Sequence, residues 1–191
     1  MKLDNKDVKQ LFALAKTTIE NGIVQKTAAL PYTELKEQQP FNNKAATFVT
    51  LQRQQQLRGC IGTLEAHRSL YEDVAHNAYA AAFKDPRFNP VSFEEVEELS
   101  LEISILSQPQ LITECGSKAD LIEQLNPFED GLIISDGARR ATFLPSVWQQ
   151  VEDKQLFVQY LMQKAGILNW CDTIQCSRYF VESYENDWGK I

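Results

Sequence analysis

The amino-acid sequence predicts an α+β fold, built mainly on antiparallel sheet with flanking helices, and three observations carry that expectation. Helical 3.6-residue spacing and period-2 alternation both occur along the 191 residues. Their order reads helix, hairpin, helices, strand, helix, hairpin, helix, strand, which lacks the strict alternation of a parallel sheet. The strand-like runs joined by short turns favour antiparallel pairing.

From Asp4 to Asn21, the residues Val8, Leu11, Phe12, Ala15 and Ile19 recur at helical spacing, and Gly22 is the expected stop. The stretch to about Lys44 holds Leu30-Pro31-Tyr32 and Pro40 among polar residues, and reads as a long loop covering other elements. Ala45 to Gln52 alternates, with Ala45, Thr47, Val49 and Leu51 on one face, as a half-buried strand does. A glutamine-rich turn, Arg53 to Gln56, leads from it into Leu57-Arg58-Gly59-Cys60-Ile61-Gly62, so these two strands form a hairpin.

Ser69-Leu70-Tyr71-Glu72 has the form of a capping box, and a helix is expected from there through Val74, Ala75, Ala78 and Ala82 to Phe83. Asp85-Pro86-Arg87-Phe88-Asn89-Pro90 ends it, and Ser92-Phe93-Glu94-Glu95 repeats the capping signature, opening a shorter helix. Leu99, Leu101, Ile103 and Ile105 alternate with Ser100, Glu102 and Ser104 as a strand. Leu121, Ile122 and Leu125 mark a short helix, and Leu132 to Leu144 reads as a hairpin turning at Asp136-Gly137. Pro145 suits a first helical turn. Leu156, Phe157, Tyr160, Leu161 and Ala165 supply the apolar face of a helix ending at Gly166. A last strand, about Thr173 to Glu185, carries Ile174, Tyr179, Phe180, Val181 and Tyr184.

Composition narrows the function classes. With 43% hydrophobic and 24% charged residues, the balance is that of an ordinary globular protein, and the length fits one unit, residues 1–191. No apolar run approaches the roughly 20 residues that span a bilayer, and a charged amphipathic segment stands at the start, so a cytoplasmic home is expected. A net charge of -7 disfavours a general nucleic-acid binder, which needs a surplus of Lys and Arg. Cys60, Cys115, Cys171 and Cys176 form no Cys-x-x-Cys pair, and only His67 and His76 accompany them. That spacing supports neither a zinc site nor a disulfide framework, and no cofactor is indicated.

The candidate chemistry centres on Leu57 to Gly62. Two glycines within one short strand are costly, by roughly 0.5 to 1 kcal/mol each relative to alanine, and glycine in a strand marks a bulge or a close approach. Regular alternation places Arg58, Cys60 and Gly62 on one face, making thiol and guanidinium neighbours with a gap beside them. A nearby cation lowers a thiol's pKa, which suits Cys60 to catalysis as a nucleophile or redox thiol. The bland alternative is a small buried hydrophobe, with Arg58 anchoring a loop carboxylate. A Cys-His pair would need His67 or His76 to reach Cys60, and His76 points away from its helix's apolar stripe. Asp85-Pro86-Arg87-Phe88 offers a carboxylate, a rigid turn and a cation, or else a salt-bridged turn with Phe88 in the core.

These segments, together with Phe48-Val49-Thr50-Leu51, Ala81-Ala82-Phe83, Ile103-Ser104-Ile105-Leu106-Ser107 and Lys164-Ala165-Gly166, resemble the AMMECR domain over nearly the whole chain. Bacterial and archaeal members of that family are called AmmeMemoRadiSam system protein A. The resemblance implies an α+β fold with a larger and a smaller subdomain around a cleft, and genomic association with a Memo-like protein and a radical SAM protein. It implies no established reaction. Arg58, Gly59, Cys60, Gly62, Asp85 and Arg87 match the family's signature positions, and Gln54 to Gln56 replace a turn where relatives more often place glycine. Two readings of function follow. One is an accessory module whose cleft binds a partner or small ligand through Arg58, Gly59, Gly62, His67, Asp85 and Arg87; the other is an enzyme using Cys60.

Overall fold

The computed structural model describes residues 3–27, 31, 34–113 and 115–191; Leu30 and Tyr32 of the expected loop lie outside them. The chain divides into two compact units, Met1–Leu106 with Glu182–Ile191, and Ser107–Val181. Among the described residues, four α-helices and two antiparallel sheets make the fold α+β.

In the first unit, helix α1 (Asn5–Gln25) starts at a capping box between Asp4 and Asp7. It does not stop at Gly22, as the sequence suggests. Gly22 lies inside the helix, where an added Cβ would come 2.3 Å from the Phe83 ring. The aromatic ring packed against the bare backbone offsets the cost of a helical glycine, about 1 kcal/mol. The helix ends one turn later at Lys26, which is left-handed with φ 54 and donates its N–H to the Gly22 carbonyl.

Strands β1 (Lys44–Arg53) and β2 (Gln56–Gly62) form the expected hairpin. Its loop is Gln54-Gln55, and both residues have positive φ (52 and 63). Such a turn ordinarily carries Asn-Gly, because two side chains must occupy left-handed backbone. The short β3 (Arg68–Ser69) pairs with the start of β1, and α2 (Leu70–Phe83) follows at the Ser69–Glu72 capping box. Strand β4 (Leu99–Leu106) lies on the other side of β1, giving the order β2-β1-β4-β9, with β9 (Val181–Asp187) last. Both helices cover one face: Leu11, Ala15, Ile19, Val74 and Ala78 share a core with Val49, Leu51, Leu101 and Ile103. The second capping signature opens no α-helix. The Ser92 N–H does donate to Glu95 Oε1 (2.9 Å), yet only a 3-10 turn, Val96–Glu98, fits before β4 begins.

In the second unit, β5 (Gln110–Leu111), α3 (Lys118–Gln124), β6 (Gly131–Asp136), β7 (Arg139–Phe143), α4 (Lys154–Ala165) and β8 (Gln175–Tyr179) build a sheet of order β5-β8-β6-β7. Its core sets Leu121, Ile134 and Leu161 around Trp148, whose ring stacks on Phe157 at 3.6 Å. The β6–β7 turn falls on Gly137-Ala138, one residue later than expected, because Asp136 pairs with Arg139 and Gly137 supplies the positive φ (60). Gly166 caps α4 in left-handed conformation as expected, but the buried stripe is Phe157, Val158, Leu161, Met162 and Ala165, while Leu156 and Tyr160 stay exposed.

The single final strand of the sequence reading is in fact two. Phe180 exchanges both backbone groups with Ser107, at 2.9 Å to Oγ and 2.8 Å to N–H. That takes it out of the flanking ladders, so β8 belongs to the smaller sheet and β9 to the larger. Among the described residues no helix is long and apolar enough to cross a membrane.

Candidate functional site

Strand β2 is one of the two outer strands of the larger sheet, and the Leu57–Gly62 signature occupies all of it but Gln56. Gly59 opposes Leu51 and Leu57 opposes Gln52, which leaves Arg58 unopposed: the signature contains a β-bulge. Regular alternation therefore does not hold, and Arg58 is not the thiol's neighbour that it predicts. Its guanidinium turns instead to Glu95 as a two-pronged pair, Nε to Oε2 and Nη2 to Oε1, both at 2.8 Å. Nη2 also donates to the Asn89 carbonyl at 2.9 Å. The Arg58 hydrogen bonds hold the Glu95 carboxyl below its ordinary range, against the effect of burial. The bland reading of Arg58 as an anchor for a loop carboxylate describes this geometry.

Both glycines have packing reasons. A Cβ on Gly59 would come 2.2 Å from the Ala81 carbonyl oxygen, so α2 approaches β2 backbone to backbone. A Cβ on Gly62 would come 2.1 Å from the Phe48 ring. The gap expected beside the thiol is therefore filled by that ring.

Cys60 is half-buried and unbridged. Its sulfur contacts Thr50 Oγ1 at 3.3 Å, directly across the hairpin. Its backbone lies on the sheet edge, where among the described residues no strand follows. There the Asp85 carboxylate accepts the Cys60 N–H (Oδ2, 2.9 Å), and Arg87 Nη2 donates to the Cys60 carbonyl (3.3 Å). Asp85 is buried and also takes Arg87 Nε (2.9 Å), Nη2 (2.6 Å) and N–H (3.1 Å). The Arg87 guanidinium, helped by the Cys60 N–H, pushes the Asp85 carboxyl far below the usual carboxylate range although burial works the other way. The Asp-Pro-Arg turn thus pairs the open edge of the sheet and blocks it from pairing with another strand. Phe88 is half-buried, with the Arg87 and Arg58 guanidinium carbons 5.5 and 5.9 Å from its ring centre.

On the face turned away from the helices, the register sets Cys60, Thr50 and Glu102 in one row, and Gly62, Phe48 and Ser104 in the next. Ser104 Oγ donates to Glu102 Oε1 at 3.0 Å and lies 2.7 Å from Ser183 Oγ on β9. This row of thiol, hydroxyls and one carboxylate can donate and accept hydrogen bonds.

His67 is exposed and its Nδ1 meets the Glu65 carbonyl at 2.8 Å; His76 is exposed too, its pKa lowered by desolvation and by the charge of Arg68. The sulfur's hydrogen-bond partner is Thr50 Oγ1. Among the described residues no group of three or more His, Cys, Asp or Glu side chains is arranged to hold a metal.

The sequence reading missed a buried polar cluster. Asp73 Oδ2 accepts the Thr47 N–H and hydroxyl, both at 2.8 Å, while Oδ1 takes Thr63 Oγ1 (2.9 Å) and Arg68 Nη2 (3.0 Å). Asn77 Nδ2 donates to the Thr47 carbonyl at 3.0 Å. The cluster ties α2 to β1 and to the end of β2. A signal was present: Asp73 and Asn77 fall in the same helical stripe as Leu70, Val74 and Ala81, where a polar residue needs a partner.

Fold and site together define a two-sheet α+β protein whose outer-strand signature is locked at its edge by an Asp-Pro-Arg turn. Residues 12–184 match the AMMECR1 family model, and the chain belongs to the AMMECR1 family. A Thermotoga maritima protein is 36% identical over 147 residues, covering 76% of this chain and 80% of that protein. A Methanocaldococcus jannaschii protein is 36% identical over 157 residues, covering 80% and 75%. The crystal structure of an uncharacterized protein from Pyrococcus horikoshii superposes with a TM-score of 0.76 at 29% identity, over 94% of this chain and 91% of that one.

Proposed function

We propose that this protein is an accessory binding module, and that its recognition surface is the helix-free face of the larger sheet carrying Cys60, Thr50, Glu102 and Ser104. One observation carries the reading: the charged groups of the signature are already committed to structure. Arg58 is held by Glu95, and Asp85 by Arg87 and the Cys60 N–H. What remains is a rigid row of hydrogen-bonding groups with a carboxylate at Glu102, next to Ser183 and Glu185 of β9. Such a face suits a donor-rich, basic segment of a partner protein, and the chain's net charge of -7 favours the same partner at long range. The AMMECR resemblance points to a Memo-like or radical SAM protein as that partner.

Capture of purified Memo-like and radical SAM proteins from the same organism tests this. Wild type should retain one of them, and Glu102→Arg and Ser104→Arg should each weaken capture at least tenfold while the fold persists. Equal capture by wild type and both variants would remove this face from consideration. Arg58→Ala and Asp85→Ala are poor probes, because both groups hold the fold.

A second reading has its own observation. The Cys60 sulfur is half-buried beside a hydroxyl at 3.3 Å, and the Arg87 guanidinium reaches the same residue's carbonyl. An enzyme using Cys60 as nucleophile or redox thiol would show an alkylation rate already half-maximal well below pH ~8.5, the ordinary thiol value. The measurement uses a Cys115→Ser, Cys171→Ser, Cys176→Ser background. A midpoint at or above that value removes the thiolate reading.

A further inference from the structure

A cavity of about 380 Å³ opens where α1 and α2 end, on residues outside Leu57–Gly62. Small-molecule sites run from roughly 300 to 1,000 Å³, so this one has the size for a compact metabolite. Its walls are apolar: Ile23 from the last turn of α1, Phe83 from the last turn of α2, and Val91 from the segment that returns to bond the Ala82 carbonyl at 2.8 Å. The Tyr79 ring leans on Phe83 with centroids 4.9 Å apart, forming an aromatic floor.

Three residues with polar groups also line this space. Lys26 is the left-handed cap of α1, Lys84 is the cap of α2, and Tyr79 adds its hydroxyl. Among the described residues, neither ammonium has an ion-pair partner and the Tyr79 hydroxyl has no hydrogen bond. The two helix C-termini each contribute roughly half a negative charge, and two full ammonium charges outweigh them.

We infer that this cavity binds a small organic acid, with an apolar, ring-sized body against Phe83, Tyr79 and Val91 and a carboxylate between Lys26 and Lys84. The ammonium groups supply charge-assisted hydrogen bonds to the carboxylate, and the apolar walls take up the hydrophobic body. Neutral isosteres lose the first contribution and keep the second. The cavity shares no residue with the Cys60 row, so the two surfaces stand or fall separately.

The test uses 4-phenylbutyrate and its neutral amide, 4-phenylbutyramide, with backbone amide shifts of the full chain as readout. The acid should shift the Gly22, Tyr79, Lys84 and Val91 amides saturably, and the neutral amide should bind at least tenfold more weakly. Lys26→Ala combined with Lys84→Ala should weaken the acid at least tenfold and leave the neutral compound unchanged; both lysines are exposed, and the variant's own spectrum reports its fold. Glu102→Arg should leave the binding as it is. Absence of saturable shifts at those amides, equal binding of acid and neutral compound, or an unchanged affinity in the double variant would each overturn the assignment.

Discussion

Replacing Gly59 by alanine separates the backbone-contact account of the signature from one based on strand propensity. Propensity alone predicts a gain, because alanine in place of a strand glycine is worth about 0.5 to 1 kcal/mol. The structure predicts a loss. The added Cβ would stand 2.2 Å from the Ala81 oxygen and 3.1 Å from its carbonyl carbon, and both belong to the backbone of α2. A flexible side chain could swing aside, whereas relief here requires the helix to move against a core that includes Val74, Ala78 and Leu51. Overpacking costs typically 1 to 3 kcal/mol, and a backbone obstacle puts this case at the upper end. After the propensity gain, a net loss of about 2 kcal/mol remains. In a chain of this length that lowers Tm by roughly 4 to 8 °C. Gly189→Ala is the control, since a Cβ there meets nothing within 4 Å, and its effect should stay within about 0.5 kcal/mol. Thermal and urea unfolding of both variants decide the matter. A Gly59→Ala protein as stable as wild type, or more so, would refute the close approach of helix and strand.

The pH dependence of stability should carry the mark of Asp85. Its carboxyl is depressed in the folded state, so its contribution is fully present above the unfolded value near pH 3.9 and is lost as pH falls from there towards the folded pKa. Asp85→Asn should cost about 2 kcal/mol at pH 7 by weakening charge-assisted hydrogen bonds, and should flatten the acid limb of a denaturation profile; an unchanged limb would count against the edge clamp. Arg58→Lys should lose about 1.5 kcal/mol in urea unfolding, because an ammonium cannot match both Glu95 oxygens at once. Asn-Gly in place of Gln54-Gln55 should raise stability by about 1 kcal/mol, by relieving two side chains at φ 52 and 63; no gain would mean that the turn is unstrained. Native-state alkylation should modify exposed Cys171 first, while Cys176, its thiol pushed up by burial in the second core, reacts only on unfolding.

Much of the fold was legible because local rules agreed with tertiary demands. The Ser69–Glu72 box, the alternation from Leu99 to Leu106 and the Gly166 cap each depend on neighbours within four residues. Errors arose where a distant group overrode a local signal. Gly22 reads as a stop until the Phe83 ring, 61 positions away in sequence, packs against it. Ser92 and Glu95 read as the start of an α-helix, and their contact forms, but β4 begins after a single 3-10 turn. Thr173 to Glu185 reads as one strand until Ser107 pairs with Phe180.

The candidate site divides in the same way. By itself the sequence determined that Leu57 to Gly62 is a strand with unusual demands and that Asp85-Pro86-Arg87 is a rigid charged turn. These follow from glycine's backbone freedom and proline's fixed φ. Only the tertiary structure decided where the charges go, because that depends on a one-residue bulge and on which loops reach the strand. The bulge moves Arg58 to Glu95, and the loop brings Asp85 and Arg87 to the edge of Cys60. A one-residue bulge, invisible to a period-2 pattern, sets the direction of Arg58 towards Glu95.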